Sequence, residues 1–218
     1  YNTPVILLSD GYLANGAEPW KIKSTKDMPE IHPNLANKGE EYQPYARDEK
    51  TLSRKLALPG TKGLEHRLGG LEKEDITGNV SYDADNHEKM VQIRARKIAN
   101  IANELPRTEV FGKKEGDLLI LSWGSTHGTC KSATESLLSE NLKVAHVSIR
   151  WISPLPNDLK DILSNYKKVL MPEINTGQFR QMIRAEFLVD AIGLNEVQGK
   201  PLGASTIVAK AKEIINER

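Results

Sequence analysis

The chain has 218 residues, with 30 lysine and arginine residues, 29 aspartate and glutamate residues and a net charge of +1. This balance excludes the strongly basic surface typical of nucleic-acid-binding proteins, and no basic cluster indicates a membrane surface. The apolar runs are too short for a transmembrane helix. The single cysteine, Cys130, excludes an internal disulfide framework and an iron–sulfur cluster held by this chain alone, which needs several cysteine ligands. These features predict a soluble cytoplasmic protein.

The first region, residues 1–22, opens on an apolar run. Residues 4–9 predict a strand buried on both faces, as in a parallel sheet. A buried strand in this position has no earlier strand to pair with, and no signal region precedes it. We therefore expect the chain to be a fragment that begins near the end of a larger domain.

Residues 23–84 are rich in proline and glycine and keep no period of 2 or 3.6. A connection of this length lies far outside the usual range of loops within a compact domain. Disorder is one interpretation, and an ordered arm that packs against other structure is the second. Apolar anchors favour the arm, among them Tyr42, Tyr45, Leu56 and Leu64.

Residues 85–218 show the alternation of an α/β domain. A long helix begins after Asp83 or Asp85, either of which can cap it, and Pro106 ends it. Strands are predicted at residues 117–123, 143–149 and 168–171, with helices near 128–140, from 157–158, from 177 and over 204–215. The alternation predicts an α/β fold with a mainly parallel sheet and flanking helices, preceded by the irregular arm.

The turn after the first strand of this domain contains Gly124, Ser125, Thr126 and His127. Between a strand and a helix, such a turn could present backbone N–H groups to an anion. It lacks the lysine of a P-loop and the glycine spacing of a dinucleotide fingerprint. A tight turn with a capped helix is the alternative, and short patterns of this kind favour it.

Three further residues are candidates for the edge of a site. Asp10 follows the predicted first strand, where α/β sheets bind ligands, but it could instead cap a turn. In the arm, His66 and Arg67 offer a base and an anion-binding group, with a solvated turn as the alternative. The five histidines show no metal-ligand spacing, so we predict no metal site. No nucleophile–base constellation and no pair of carboxylates emerges, so we predict no catalytic residues in this chain.

Several segments are long enough to be specific. They are residues 3–15 (TPVILLSDGYLAN), 18–20 (EPW), 59–72 (PGTKGLEHRLGGLE), 78–83 (GNVSYD), 86–87 (NH), 89–91 (KMV), 123–126 (WGST), 172–178 (PEINTGQ) and 198–201 (QGKP). These segments resemble the α subunits of 2-oxoacid:ferredoxin oxidoreductases, and the 2-oxoglutarate members more than the pyruvate members.

The resemblance implies that the chain is the C-terminal part of such a subunit. Residues 1–22 would end the pyrimidine-binding domain, residues 23–84 would form a connector arm, and residues 85–218 would form a domain like the transketolase C-terminal domain. The complete enzymes use thiamine diphosphate, Mg and an iron–sulfur cluster. They decarboxylate a 2-oxoacid oxidatively, pass the acyl group to coenzyme A and the electrons to ferredoxin.

The resemblance also implies partners: a β subunit that carries thiamine diphosphate and the iron–sulfur cluster, ferredoxin through the complex, and an α–α contact. Because the family's catalytic residues lie outside this chain, we expect it to be mainly structural, inactive alone and unable to bind thiamine diphosphate tightly. Two other functions stay open. One is a non-catalytic assembly module, and the other is a small phosphate-binding α/β domain of another enzyme.

Overall fold

The computed structural model describes residues 1–217 and divides them into two units. The first unit contains residues 1–6 and 19–105, and the second contains residues 7–18 and the described chain from Pro106 onwards. The long helix after Asp83 therefore belongs to the same unit as the arm. The predicted division into regions at 22/23 and 84/85 stays a prediction.

The first unit is organised around one helix, α2, at Ala84–Ile101. Asp83 caps it by accepting a hydrogen bond from the backbone N–H of Asn86 at 2.7 Å, as the sequence predicted. A 3₁₀ turn at Ala102–Glu104 follows, so the helix ends before Pro106. Met90 and Ile93 are its buried residues.

The arm in this unit is irregular but ordered by specific contacts. A single 3₁₀ turn, Thr25–Asp27, and isolated bridges such as Tyr45 with Ile76 are the regular features of residues 23–83. Leu64 is buried, and Lys73 is buried with its ammonium group donating to the backbone carbonyls of Gly69 and Leu71. The irregular backbone that the sequence predicted for the arm is present, and the order of the whole arm stays a prediction.

The predicted buried strand at residues 4–9 is wrong. These residues form no strand, and the side chains of Val5, Ile6 and Leu7 are 88%, 84% and 89% exposed. A strand requires a neighbour that accepts and donates its backbone hydrogen bonds, and none of the described residues supplies one here. The chain instead runs into a single helical turn, α1, at Gly11–Ala14.

The second unit is built on a five-stranded sheet. Its strands are β1 (Val110–Gly112), β2 (Gly116–Trp123), β3 (Val144–Ile149), β4 (Tyr166–Glu173) and β5 (Ala191–Asn195), in the order β1-β3-β2-β4-β5. β1 pairs antiparallel with β3, and the other pairs are parallel. The predicted mainly parallel sheet is confirmed, whereas the likeness to the transketolase C-terminal domain stays a prediction.

Four helices cover the two faces of this sheet: α3 (His127–Ser139), α4 (Leu159–Ser164), α5 (Gln178–Phe187) and α6 (Ala204–Asn216). One core joins β2 to α4 and α5 and includes Leu121, Leu163 and Ile183. The other joins β2 to α3 and α6 and includes Leu137 and Ile207. The central strand is therefore apolar on both sides, as expected for a parallel sheet between helical layers.

Two strands were absent from the sequence-based description. β1 has only three residues at a sheet edge, and β5 carries Gly193 in its centre. Glycine weakens the strand signal because it has no side chain to pack. At Gly193 a Cβ atom would lie 2.5 Å from Oδ1 of Asn195 and 2.9 Å from Nε of Arg180, so a larger residue would require these two side chains to move.

Candidate functional site

The connections of the sheet create a crevice between β2 and β4. After β2 the chain passes through α3 to β3 on one side, and after β4 it passes through α5 to β5 on the other side. Helices that leave neighbouring parallel strands in opposite directions open a crevice at the carboxyl ends of those strands. This is the position at which open α/β sheets bind ligands.

A cleft of about 350 Å³ lies at this crevice. Its lining comes from the end of β2 and the turn after it, the end of β4 and a preceding loop: residues 123–126, 173–175 and 8–10. All three segments belong to the second unit. The topology and the cleft therefore mark the same candidate site independently.

Asp10 closes one side of the cleft through two hydrogen bonds. Its Oδ1 accepts from the backbone N–H of Tyr12 at 2.7 Å and caps α1. Its Oδ2 accepts from the hydroxyl of Ser125 at 2.8 Å. The capping role considered for Asp10 is therefore present, whereas contact with a ligand stays a prediction.

The predicted anion-binding turn thus has an anion of its own, the carboxylate of Asp10. The turn begins at Gly124, whose φ of +60 is in the left-handed region and whose Cβ position faces open space. The hydroxyl of Thr126 donates to the backbone carbonyl of Trp123 at 2.8 Å and tightens the turn. Contact between this turn, including His127, and the anion of a ligand stays a prediction.

Glu173, at the end of β4, is the buried carboxylate of the cleft, with 1% of its surface exposed. Its Oε1 accepts from the indole N–H of Trp123 and from the backbone N–H of Phe179, both at 3.2 Å. Its Oε2 accepts from the backbone N–H of Arg180 at 3.1 Å. A carboxylate at the first turn of α5 is favourable because that end of a helix carries unpaired N–H groups and a partial positive charge.

Glu173 was not among the predicted site residues. The signal for it was a glutamate a few residues before Gly177 and a helix. Asn175 completes the same turn, because its Oδ1 accepts from the backbone N–H of Gly177 at 2.6 Å. Gly177 adopts the left-handed conformation with φ 93, which glycine tolerates without strain.

A second polar cluster lies inside the sheet beside α3. The hydroxyl of Ser122 and Nε2 of His146 share a buried hydrogen bond of 2.7 Å. Burial, with smaller contributions from His127 and Lys131, lowers the pKa of His146 to about 4. Burial raises the pKa of the Cys130 thiol to about 12. Both groups are therefore neutral at physiological pH.

Ser122 and His146 are the residue types of a nucleophile and its general base, but a substrate has no access to them. Both residues lie on strands, and their exposed fractions are 0% and 2%. A substrate cannot reach a hydroxyl buried under a helix. This pairing could not be predicted from local patterns, because the two residues are 24 positions apart and meet only through the register of β2 and β3.

His66 and Arg67 belong to the first unit. Nδ1 of His66 and the backbone carbonyl of Leu64 are 2.9 Å apart, and the ring packs edge-on against Tyr42 with centroids 5.3 Å apart. Arg67 is exposed. These contacts hold the local turn, and a ligand role for either residue stays a prediction.

Over residues 1–217, no group of three or more histidine, cysteine, aspartate or glutamate side chains is arranged to hold a metal ion. In the same range, no helix is long and apolar enough to cross a membrane. The two carboxylates of the cleft, Asp10 and Glu173, are both engaged as hydrogen-bond acceptors within the fold.

Comparison with known proteins gives a consistent family. No family model matches the chain. The 2-oxoglutarate oxidoreductase subunit KorA of Mycobacterium tuberculosis is 44% identical over 200 residues, which cover 91% of this chain and 30% of the relative. The 2-oxoacid:ferredoxin oxidoreductase subunit alpha of Saccharolobus solfataricus is 30% identical over 83% of this chain and 29% of the relative. The chain is homologous to part of the α subunit of 2-oxoacid:ferredoxin oxidoreductases.

A solved structure supports the same assignment. The 2-oxoglutarate:ferredoxin oxidoreductase from Magnetococcus marinus, with 2-oxoglutarate, coenzyme A and succinyl-CoA bound, superimposes with a TM-score of 0.81 and 31% sequence identity. The match covers 89% of this chain and 34% of that one. The chain thus spans about a third of the length of these relatives.

Proposed function

We propose that this chain is the C-terminal part of the α subunit of a thiamine-diphosphate-dependent 2-oxoacid:ferredoxin oxidoreductase. The observation that carries the proposal is the 44% identity to a 2-oxoglutarate oxidoreductase subunit over 91% of the chain. The substrate is 2-oxoglutarate, in keeping with the names of that relative and of the Magnetococcus marinus structure. The complete enzyme is cytoplasmic.

The reaction of the complete enzyme converts 2-oxoglutarate and coenzyme A to succinyl-CoA and CO₂, and the released electrons pass to ferredoxin. The Magnetococcus marinus relative, described with 2-oxoglutarate, coenzyme A and succinyl-CoA, supports the substrate and the acceptor. Thiamine diphosphate supplies the chemistry of decarboxylation.

The described residues do not fit the sites of the enzyme's cofactors. Magnesium-bound diphosphate needs oxygen ligands that are free to coordinate, and the two carboxylates of the cleft, Asp10 and Glu173, already accept hydrogen bonds within the fold. An iron–sulfur cluster needs several thiolates, whereas Cys130 is the only cysteine and is buried in the core. We therefore assign these sites to other parts of the α subunit and to the β subunit.

This chain's own role is to support and assemble the active site. In the second unit, Glu173 fixes the first turn of α5 and Asp10 ties the loop before α1 to the turn after β2. Such contacts hold a rigid edge against which neighbouring parts of the enzyme can pack. The partners are the β subunit, ferredoxin through the complex, and a second α subunit.

A measurement of thiamine diphosphate binding by the isolated chain distinguishes an assembly role from that of a self-sufficient enzyme. Calorimetry on the isolated chain with thiamine diphosphate and Mg²⁺ should show no saturable binding up to millimolar cofactor. Saturable binding at micromolar concentration would contradict an assembly role.

Co-purification tests the assembly itself. The α subunit that contains this chain, coexpressed with its β subunit, should elute from a sizing column as one species carrying iron and thiamine diphosphate. Elution of two separate species would contradict the proposal. As a matched control, Glu186→Gln on the exposed surface of α5 should leave assembly unchanged.

A further inference from the structure

One buried polar side-chain atom among residues 1–217 has no hydrogen-bond partner, and it is Nε of Arg180 on α5. Within the same residues the guanidinium group of Arg180 forms no ion pair and donates no hydrogen bond. A buried N–H group without an acceptor is costly, because it has given up its hydrogen bonds to water and has gained none. The fold by itself therefore leaves this side chain unsatisfied.

Arg180 differs in this respect from the other buried or half-buried cations of the described chain. Each of those donates to a backbone carbonyl or a carboxylate: Arg47, Arg54, Lys73, Lys97, Lys168, Lys210 and Lys212. Lys73 is buried more deeply, with 3% exposed, but its ammonium group donates to the carbonyls of Gly69 and Leu71 at 3.2 and 2.6 Å. Burial of a cation alone does not mark a site here, whereas a cation that meets no acceptor does.

Two glycines hold the guanidinium group of Arg180 in place. A Cβ atom built on Gly193 would lie 2.9 Å from Nε, and one built on Gly177 would lie 3.3 Å from Nε and 3.5 Å from Nη2. The side chain of Asn195, which lies beside the same glycines, donates to the backbone carbonyl of Asn175 at 3.0 Å instead. The guanidinium group is therefore packed in a defined position, with little freedom left to lose when a ligand binds.

The position of Arg180 in its helix adds to the electrostatic cost. Arg180 is the third residue of α5, and the first turn of that helix contains no acidic residue. A cation there is repelled by the partial positive charge of the helix N-terminus. Oε2 of Glu173 accepts from the backbone N–H of Arg180 at 3.1 Å, but no carboxylate of the described residues pairs with the guanidinium group. An anion bound to Arg180 would supply both the missing acceptor and the missing negative charge.

We infer that the guanidinium group of Arg180 binds the carboxylate of an acidic side chain on the β subunit, an inference that rests on the proposed function. A planar carboxylate matches a guanidinium group through two parallel hydrogen bonds. A small dissolved carboxylate would gain too little from one guanidinium group to stay bound in water, whereas an acidic side chain on a docked subunit is held in place by the rest of the interface. The β subunit is the stable partner in the proposed complex, whereas ferredoxin must leave after it accepts electrons.

The first test compares the assembled complex with and without this cation. Arg180→Met keeps an apolar stem against Gly193 but removes the charge and the N–H donors. In a dilution series followed by analytical ultracentrifugation, the complex that carries Arg180→Met should dissociate into α and β subunits at a concentration at least about tenfold higher than the wild-type complex. Lys160→Met removes an exposed cation from α4, and its complex should dissociate as the wild type does.

The second measurement separates a partner contact from a structural role. Urea unfolding of the isolated chain should give a midpoint for Arg180→Met equal to or above that of the wild type, because the substitution removes an unsatisfied buried donor. A lower midpoint would show that Arg180 stabilises its own fold and would overturn the inference, as would equal dissociation of the two complexes.

Two further outcomes are distinguished by the same dilution series. Weaker association between two α subunits, with α–β association unchanged, would overturn the assignment of the acid to the β subunit. A wild-type α subunit that does not bind the β subunit at all would instead contradict the proposed function.

Discussion

The hydroxyl of Ser125 donates a 2.8 Å hydrogen bond to the carboxylate of Asp10, which lies 115 residues earlier in the chain. The contact brings a loop from the start of the chain to the carboxyl end of β2, at the crevice where the sheet changes direction. It places the negatively charged carboxylate of Asp10 at the turn after β2. One side of the cleft is therefore closed by a hydrogen bond between two parts of the protein itself.

This contact should be measurable as a coupling energy. Ser125→Ala and Asp10→Asn should each destabilise the second unit, and their double-mutant cycle should give a coupling of about 0.5–1 kcal/mol, since the pair is only half-buried. Urea unfolding followed by tryptophan fluorescence provides the measurement. Ser132→Ala, on the exposed face of α3, is the control, and a cycle that sums to zero would show that the contact contributes nothing.

Glu173 should matter more, because it is buried and accepts three hydrogen bonds. Glu173→Gln keeps the shape but removes the charge and one acceptor oxygen, so it should cost about 1–3 kcal/mol of unfolding free energy. The emission of Trp123, whose indole N–H bonds to this carboxylate, should shift to longer wavelength. An unfolding midpoint equal to that of the exposed control Glu186→Gln would contradict this role.

The buried histidine predicts how stability changes with pH. The pKa of His146 is about 4 in the folded protein against 6.5 in an unfolded chain. Below pH 6.5 the unfolded state takes up a proton that the folded state refuses. Its contribution to stability is therefore complete above pH 6.5 and is lost as the pH falls towards 4.

Urea unfolding at pH 7.5 and pH 5.0 measures this loss, which should be on the order of 2 kcal/mol for this one group. The glutamine in His146→Gln cannot titrate. The loss of stability between pH 7.5 and pH 5.0 should therefore be smaller in this variant than in the wild type by the same amount. Equal pH dependence in the two proteins would mean that His146 is protonated in the folded state.

Cys130 should react very slowly with thiol reagents in the folded protein. Its side chain is fully buried, and burial raises the pKa of the thiol to about 12, so the reactive thiolate is scarce and inaccessible. Labelling with a thiol reagent at pH 7.5 should be at least about a hundredfold slower in buffer than in 8 M urea. Because it is the only cysteine, Cys130→Ser provides a blank, and rapid labelling of the native chain would show that α3 opens readily.

Much of the second unit follows from local sequence patterns. The apolar runs of β2 and β3 are strong signals because these strands contribute to both cores. The spacing of Ile207, Ala211 and Ile214 in α6 is a strong signal because all three are buried in one of the cores. The apolar run at residues 4–9 has the same local character and forms no strand. The difference lies in the neighbours, since a strand is defined by its partners and a run of apolar residues does not reveal them.

For the same reason, only part of the site could be predicted from the sequence. Asp10 and the turn at Gly124–Thr126 were each placed after a strand, but nothing local indicated that they touch. The contact between Trp123 and Glu173 joins β2 to β4, and the contact between Ser122 and His146 joins β2 to β3. Such contacts are set by tertiary packing, so a single sequence shows which residues are available and not which of them meet.

The reaction of the assembled enzyme is the most direct test of the assignment. The complete α subunit that contains this chain, purified anaerobically with its β subunit, should reduce ferredoxin when 2-oxoglutarate and coenzyme A are both supplied. Omission of either should abolish the reduction, and pyruvate should support it poorly. Failure to reduce ferredoxin with any 2-oxoacid, in a complex that carries its thiamine diphosphate and iron, would contradict the proposed function.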